Sequence, residues 1–377
     1  MIPFNKPCVI GEEAKAIEKV ITGQNKHSGN GPFGKKCTKW LEDNLNCKKA
    51  LLTPSCTAAL EMTALLIDLV PGDEVILPSY TFVSTANAYA LRGAALRFVD
   101  VNPDTMNIDP VQIEAAVTEN TKAVVIVHYA GISCDMDEIM KIAVENNIWV
   151  IEDAAQGLMS TYKDQPLGTI GHFGTISFHE TKNYSCGEGG ALLINDKDSI
   201  ERAEILQEKG TNRSQFIRGR VDKYTWRDIG SSYLLSEINA AYLFVQLRYA
   251  DEINEDRLST WKLYQEGLKD LVGAGKISGP SVPDECIHNG HMFYIKTKDE
   301  EERSGLLDFL DENGIMAVSH YVPLHSAYAG RKFGKFSGSD RFTTVGSKRI
   351  VRLPIYYRIG EEAVHHVVNT IHKFYEA

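Results

Sequence analysis

Between about residue 50 and residue 195 the chain alternates short apolar runs with helical patterns, and this rhythm restricts the fold more than any other feature. The runs fall at 50–52, 74–78, 94–99, 123–128, 148–151, 175–178 and 190–194. Between them lie helix signals: Asp135 is placed to cap a helix whose third residue is Glu138, with Met136, Ile139, Met140, Ala143 and Val144 on one face. Strands alternating with helices of this length imply βαβ units, and therefore an α/β fold built on a mostly parallel sheet covered on both sides. Active residues of such sheets sit in loops at the carboxyl ends of the strands. Asp153 falls at such a place.

A second pattern begins near Glu237, where a long helical stretch to Leu271 groups Ile238, Ala241, Tyr242, Val245 and Leu247 and reads as a connector. Residues 1–254 are expected to form an N-terminal arm and a large domain, and 255–377 a smaller α+β domain. In the latter, strands are expected at 291–296 and 316–321, a helix at 304–313 and a closing helix from Glu361. The stretch 330–346, rich in Gly, Ser and charge, reads as a mobile loop.

Charge and cysteine usage narrow the class of function. A formal net charge of -10 and a pI near 5.6 argue against a nucleic-acid or membrane-surface protein, either of which needs a basic face. The seven cysteines are odd in number and contain no Cys-x-x-Cys pair, which suggests reduced thiols and no zinc site. The N-terminus lacks the order of a signal peptide, and no run reaches the roughly 18 apolar residues of a membrane span. The expectation is a cytoplasmic enzyme without a metal.

Two segments carry the chemistry. Residues 149–156 place Asp153 where an apolar strand runs out, and 174–190 place Lys182 in a polar loop ending in glycines. Alone, Lys182 is a solvated loop lysine and Asp153 a helix cap. Together they are what pyridoxal phosphate (PLP) requires: a lysine to condense with the aldehyde, and a carboxylate to keep the pyridine nitrogen protonated. Gln156 lies three residues past Asp153, where its amide can donate to the ring hydroxyl. Ser55, Cys56 and Thr57 open an apolar helix, whose free N–H groups and dipole suit a phosphate, with Ser177 as a further hydroxyl. Tyr80, just past a strand end, is an aromatic to stack on the cofactor or pack in the core. Against the acidic whole, 209–227 gathers Lys209, Arg213, Arg218, Arg220, Lys223 and Arg227. That run is a solvated face, a contact to a partner subunit, or a receiver for a diphosphate.

These segments, with 319–325 near the end, resemble the DegT-type sugar-nucleotide aminotransferases, over nearly the whole chain. The resemblance implies PLP-dependent fold type I (aspartate aminotransferase-like) and a ping-pong reaction in which L-glutamate gives an amine that a nucleotide-sugar substrate accepts. It assigns Lys182 to the aldehyde, Asp153 to the pyridine nitrogen, Gln156 to the ring oxygen and Tyr80 to the ring face. It puts the Cys56 and Thr57 amides and the Ser177 hydroxyl at the phosphate, and it implies a homodimer with shared active sites. Arg218 and Lys223 of the basic run are candidates for the substrate diphosphate, and His320, Tyr321 and His325 are candidates for the sugar side of the pocket or, equally, braces of the small domain. Where many members carry Gly-Tyr-Asn-Tyr-Arg, this chain has 230–234 with Ser232 and Leu234, so a shorter side chain stands where an asparagine reaches the neighbouring phosphate. A PLP-dependent sugar dehydratase shares the fold but has histidine in place of the lysine, so Lys182 argues against it. A non-catalytic sensor on the same fold is the alternative of another class.

Overall fold

The computed structural model describes residues 1–23 and 26–376. All seven apolar runs become strands: β1 (Lys49–Thr53), β2 (Glu74–Pro78), β3 (Ala95–Val99), β4 (Thr121–Val127), β5 (Trp149–Asp153), β6 (Phe173–Ser177) and β7 (Gly190–Ile194). They build one sheet in the order β1-β7-β6-β5-β4-β2-β3. β7 is antiparallel to β1 and β6, and the other pairings are parallel. The carboxyl ends of β1, β5 and β6 therefore meet at one rim, where β7 begins.

Alternation along the strands divides the core. Val124, Ile126 and Val150 join one apolar cluster, and Ala123, Val125 and Ile151 join the other, across the sheet. The first cluster is covered by helices that include α1 (Glu13–Gly23) and α2 (Pro32–Leu45), the second by α3 (Cys56–Leu66) and α4 (Val83–Ala90). Burial on both faces explains why the strands read as continuous apolar runs. The helix at Met136–Asn146 is capped by Asp135, which accepts from the Glu138 N–H at 3.3 Å. Its buried stripe is Met136, Ile139, Ile142 and Ala143, while Val144, expected inside, is 77% exposed.

The expected long helix is broken. It forms Glu237–Arg248 and Ala250–Gly267, because Tyr249 leaves the helical region (φ −108°, ψ 21°). The Glu237 carboxylate accepts from the backbone of Gly31, Phe33 and Gly34 at 2.8–2.9 Å and so caps α2, whose own start has no capping side chain.

Farther on, β8 (Phe293–Lys296), β9 (Gly334–Phe336) and β10 (Ile350–Leu353) appear. β8 and β10 pair antiparallel and pack Phe293, Ile295, Val351 and Leu353 with helices Glu300–Glu312 and Glu361–Glu376. Two expectations fail here. The stretch 316–321 is not a strand: only Val318 bridges, to Arg352, and Tyr321 turns to φ +37°. The stretch 330–346 is not a loose loop either, since β9 adds to the large sheet in parallel beside β3. Gly334 is there for close approach, because a Cβ would sit 2.6 Å from the Leu96 carbonyl oxygen. The buried Asp100 carboxylate then accepts from the N–H groups of Arg341, Phe342 and Thr343 and pins the next turn.

Candidate active site

A cavity of about 500 Å³ opens at the rim where β1, β5 and β6 end. Asp153, the last residue of β5, lies in its wall and is 6% exposed. One oxygen accepts from the Thr85 hydroxyl at 2.7 Å and the other from the Ala155 N–H at 3.2 Å. Burial pushes the Asp153 carboxyl above its ordinary pKa, against the lowering pull of these two donors and of Lys182 and His128.

Lys182 comes from the connection between β6 and β7. That connection is tied by Phe178 N–H to Gly189 O (2.8 Å), Glu180 N–H to Gly187 O (2.9 Å) and Lys182 N–H to His179 O (2.9 Å). Its half-buried side chain enters the same cavity. Desolvation lowers the amine's pKa, opposed by Cys56 and Asp153 and aided by Arg352. The site thus presses an acid and a base toward their neutral forms, and the amine toward nucleophilicity.

The start of α3 forms one end of the cavity. Ser55 is its N-cap and accepts from the Ala58 N–H at 3.1 Å. The first N–H groups of the helix, on Cys56 and Thr57, have no intrahelical acceptor. The Thr57 and Ser84 hydroxyls are 2.8 Å apart, and Ser177 closes the group from β6. Gly190 pairs with both Thr53 and Ser177, and a Cβ on it would lie 2.4 Å from the Cys56 nitrogen. Only glycine lets β7 pass so close beneath this helix start, and free N–H groups at a helix start suit an anion.

The remaining expected residues divide. Gln156 lines the cavity, with Oε1 accepting from the Ala130 N–H (2.6 Å) and Nε2 donating to the Tyr321 hydroxyl (3.2 Å). Tyr321 and His320 line it too. Tyr80 does not: it is 1% exposed, edge-on to Tyr129, and its hydroxyl donates to the His320 carbonyl. Phe82, 56% exposed, faces the cavity in its place. His325 stands outside as a brace, 2.7 Å from the Ser79 hydroxyl and 3.2 Å from Asp340. Arg218, Lys223 and Ser232 are exposed and away from this chain's cavity, with Arg218 paired to Glu204.

Sequence reasoning passed over Phe82, Thr85, Arg257, His291 and Arg352, all of which line the cavity. Phe82 and Thr85 had a signal, being one helical turn apart at the start of α4. The other three come from distant segments and had none.

A desolvated lysine, a buried carboxylate, an open helix start and an exposed aromatic fit pyridoxal phosphate as a set. Fold and cavity define an aminotransferase of the aspartate-aminotransferase type. Residues 7–372 match the DegT/DnrJ/EryC1/StrS aminotransferase family, and the chain belongs to it. It is a PLP-dependent sugar aminotransferase. It is 31% identical over 378 residues to the spore coat polysaccharide biosynthesis protein SpsC of Bacillus subtilis, covering 98% of this chain and 96% of that one. Among solved structures it is similar to the aminotransferase TlmJ of Streptoalloteichus hindustanus, with TM-score 0.91, 26% identity and coverage of 100% and 99%. It is likewise similar to the PLP form of the putative sugar aminotransferase Spr1654 of Streptococcus pneumoniae, with TM-score 0.88, 25% identity and coverage of 100% and 98%.

Proposed function

We propose that the protein transfers the amino group of L-glutamate to the keto carbon of dTDP-4-dehydro-6-deoxyglucose, giving dTDP-4-amino-4,6-dideoxygalactose for surface polysaccharide synthesis. One observation carries the reaction type: Lys182 and Asp153 share one cavity beneath the start of α3. The substrate rests on the stretches 51–58, 78–87, 177–184 and 208–216, which resemble the transaminase that makes this sugar, and on the polysaccharide role in the name of SpsC.

Pyridoxal phosphate, when bound, supplies the aldehyde that receives amines and the ring that takes up the electrons released at the donor α-carbon. Lys182 Nζ removes the α-carbon proton of glutamate and returns a proton at the sugar carbon in the second half. Asp153 would hold a proton on the ring nitrogen, the Cys56 and Thr57 amides with the Ser177 hydroxyl would hold the phosphate, Gln156 Nε2 would donate to the ring oxygen, and Phe82 would pack against the ring. The cavity walls partly desolvate the amine. We assign Arg218, Lys223 and Ser232 to the cavity of a second copy of the chain, in a homodimer. Their exposure, beside the exposed Phe216, Tyr224 and Trp226, supports that reading.

The test is to incubate the PLP-loaded protein with glutamate and a panel of keto-sugar nucleotides and to identify the product by NMR. Release of 2-oxoglutarate with a 4-amino-4,6-dideoxygalactose nucleotide is the expected result. An amine at carbon 3, or the other configuration at carbon 4, would refute the product.

A further inference from the structure

Behind Lys182 lies a buried polar network whose hydrogen bonds leave one atom over. Asn289 Nδ2 donates to the carbonyls of Gln156 and Leu158, both at 2.8 Å, and its Oδ1 accepts from the His291 N–H at 2.9 Å. The fit is close, since a Cβ on Gly131 would lie 2.2 Å from that Oδ1. The Asn289 carbonyl accepts from Asn183 Nδ2 at 3.1 Å. A carbonyl only accepts, so the other end of the Asn183 amide is its oxygen. That oxygen lies 2.8 Å from His291 Nδ1, and because it too only accepts, Nδ1 carries the proton. Arg257 satisfies the carbonyls of Gly290 and His291 at 3.2 and 2.8 Å.

What remains is His291 Nε2. Burial keeps the ring neutral, helped by the facing cations Lys182, Arg257 and Arg352 and by His320. In a neutral ring protonated at Nδ1, Nε2 is a bare acceptor. It has no partner among the described residues, and the ring, 7% exposed, lines the cavity. A lone pair there repels carboxylates, so it does not suit glutamate, whose amine is already committed to the cofactor. It suits an O–H. His291 and Lys182 line the same cavity, and Lys182 is among the charges that act on the ring, so the hydroxyl it suits is one close to the carbon that meets the lysine.

We infer that His291 Nε2 accepts a hydrogen bond from the sugar hydroxyl on the carbon beside the keto group, with Asn183 fixing the ring for that task. The assignment rests on the keto-sugar reading above. His291 is then a substrate-binding residue that selects sugars carrying this hydroxyl, and it serves one half of the reaction only.

The two halves are to be measured separately by absorbance: the glutamate half on the PLP-loaded protein, and the sugar half on the pyridoxamine-phosphate form that glutamate leaves, freed of glutamate and 2-oxoglutarate, with the parent keto-sugar nucleotide and an analogue lacking that hydroxyl. Wild-type protein should favour the parent by about 10-fold or more. His291→Phe should lower kcat/KM for the parent about 10-fold, leave the analogue and the glutamate half within about 2-fold, and so erase the preference. His291→Gln, with an amide oxygen in reach, should recover part of the loss. Equal losses on parent and analogue, an equal loss in the glutamate half, or a wild type indifferent to the hydroxyl would each overturn the His291 assignment alone. A wild type that reacts with glutamate but with no keto sugar in the panel would overturn the substrate reading and this inference together.

Discussion

Glu152 and Asp153 are neighbours on β5, yet the two sides of the sheet treat them in opposite ways. Glu152 is fully buried and saturated: its carboxylate accepts from His128 Nε2 at 2.9 Å and from the N–H groups of Gly168, Ile170 and Gly171 at 2.6–2.7 Å. His128 is itself fixed, with Nδ1 accepting from the Cys134 N–H at 3.2 Å. Asp153 takes the Thr85 hydroxyl, the Ala155 N–H and a long contact from the Cys56 thiol at 4.0 Å, and keeps the rest of its accepting capacity for the cavity. Under the proposed function, the contrast separates a structural carboxylate from a working one. Burial does not separate them, but unspent hydrogen-bonding capacity aimed at open space does.

The largest effect expected is on Asp153's side of that divide. Lys182→Ala should drop turnover to background, a loss on the order of 10⁶-fold, and remove the visible absorbance of lysine-bound cofactor. Full activity in this variant would end the reading of the cavity. Exchanging the carboxylates tests the comparison itself. Asp153→Asn should lower kcat about 10³-fold and leave the fold intact. In the cofactor-free protein it should raise Tm at neutral pH. The sign follows from the raised pKa: between its unfolded and folded values the native state binds more protons than the unfolded chain, so stability falls as pH climbs through that window, and asparagine removes the slope. Glu152→Ala should do the reverse. It strands His128 and three backbone donors and should cost about 3–5 kcal/mol in denaturant unfolding, while the folded fraction keeps kcat within a few fold. An inactive but undiminished Glu152→Ala protein would erase the distinction.

How much of this the residues announce depends on how local the cause is. The seven strands are legible because burial on both faces leaves unbroken apolar runs, and Asp153, Lys182 and Ser55–Thr57 because strand ends and helix starts carry their own signals. Val144 and the 330–346 stretch are misread because local composition hides tertiary packing: Gly334 marks a tight seam against β3, not looseness. His291 and Arg352 come from more than 100 residues beyond Lys182, so only the folded chain brings them to it. The aromatic pair past β2 fails more narrowly. Tyr80 and Phe82 stand two residues apart, and which one faces the cavity depends on how the backbone turns after Pro78.

That pair gives a smaller test of the same divide between spent and unspent surface. Phe82→Ala should loosen cofactor retention about 10-fold, read as PLP lost on dilution, with little change in stability. Tyr80→Phe should retain cofactor and cost about 1 kcal/mol by releasing the His320 carbonyl.

The smallest effect belongs to the basic stretch. Arg218 and Lys223 are exposed charges, and such positions usually change stability by no more than about 0.5 kcal/mol. If they reach a second copy's cavity, their action is on the nucleotide diphosphate through water-screened charge, so it must be modest and sensitive to salt. Arg218→Gln with Lys223→Gln should therefore raise KM for the nucleotide sugar about 3-fold at low ionic strength and not at all near 1 M salt, where screening is complete within about 3 Å. The glutamate half, which carries no diphosphate, should not respond. A salt-independent loss in both halves would mean that these residues act through the fold, and the boundary drawn between the cavity and this outer surface would have to move.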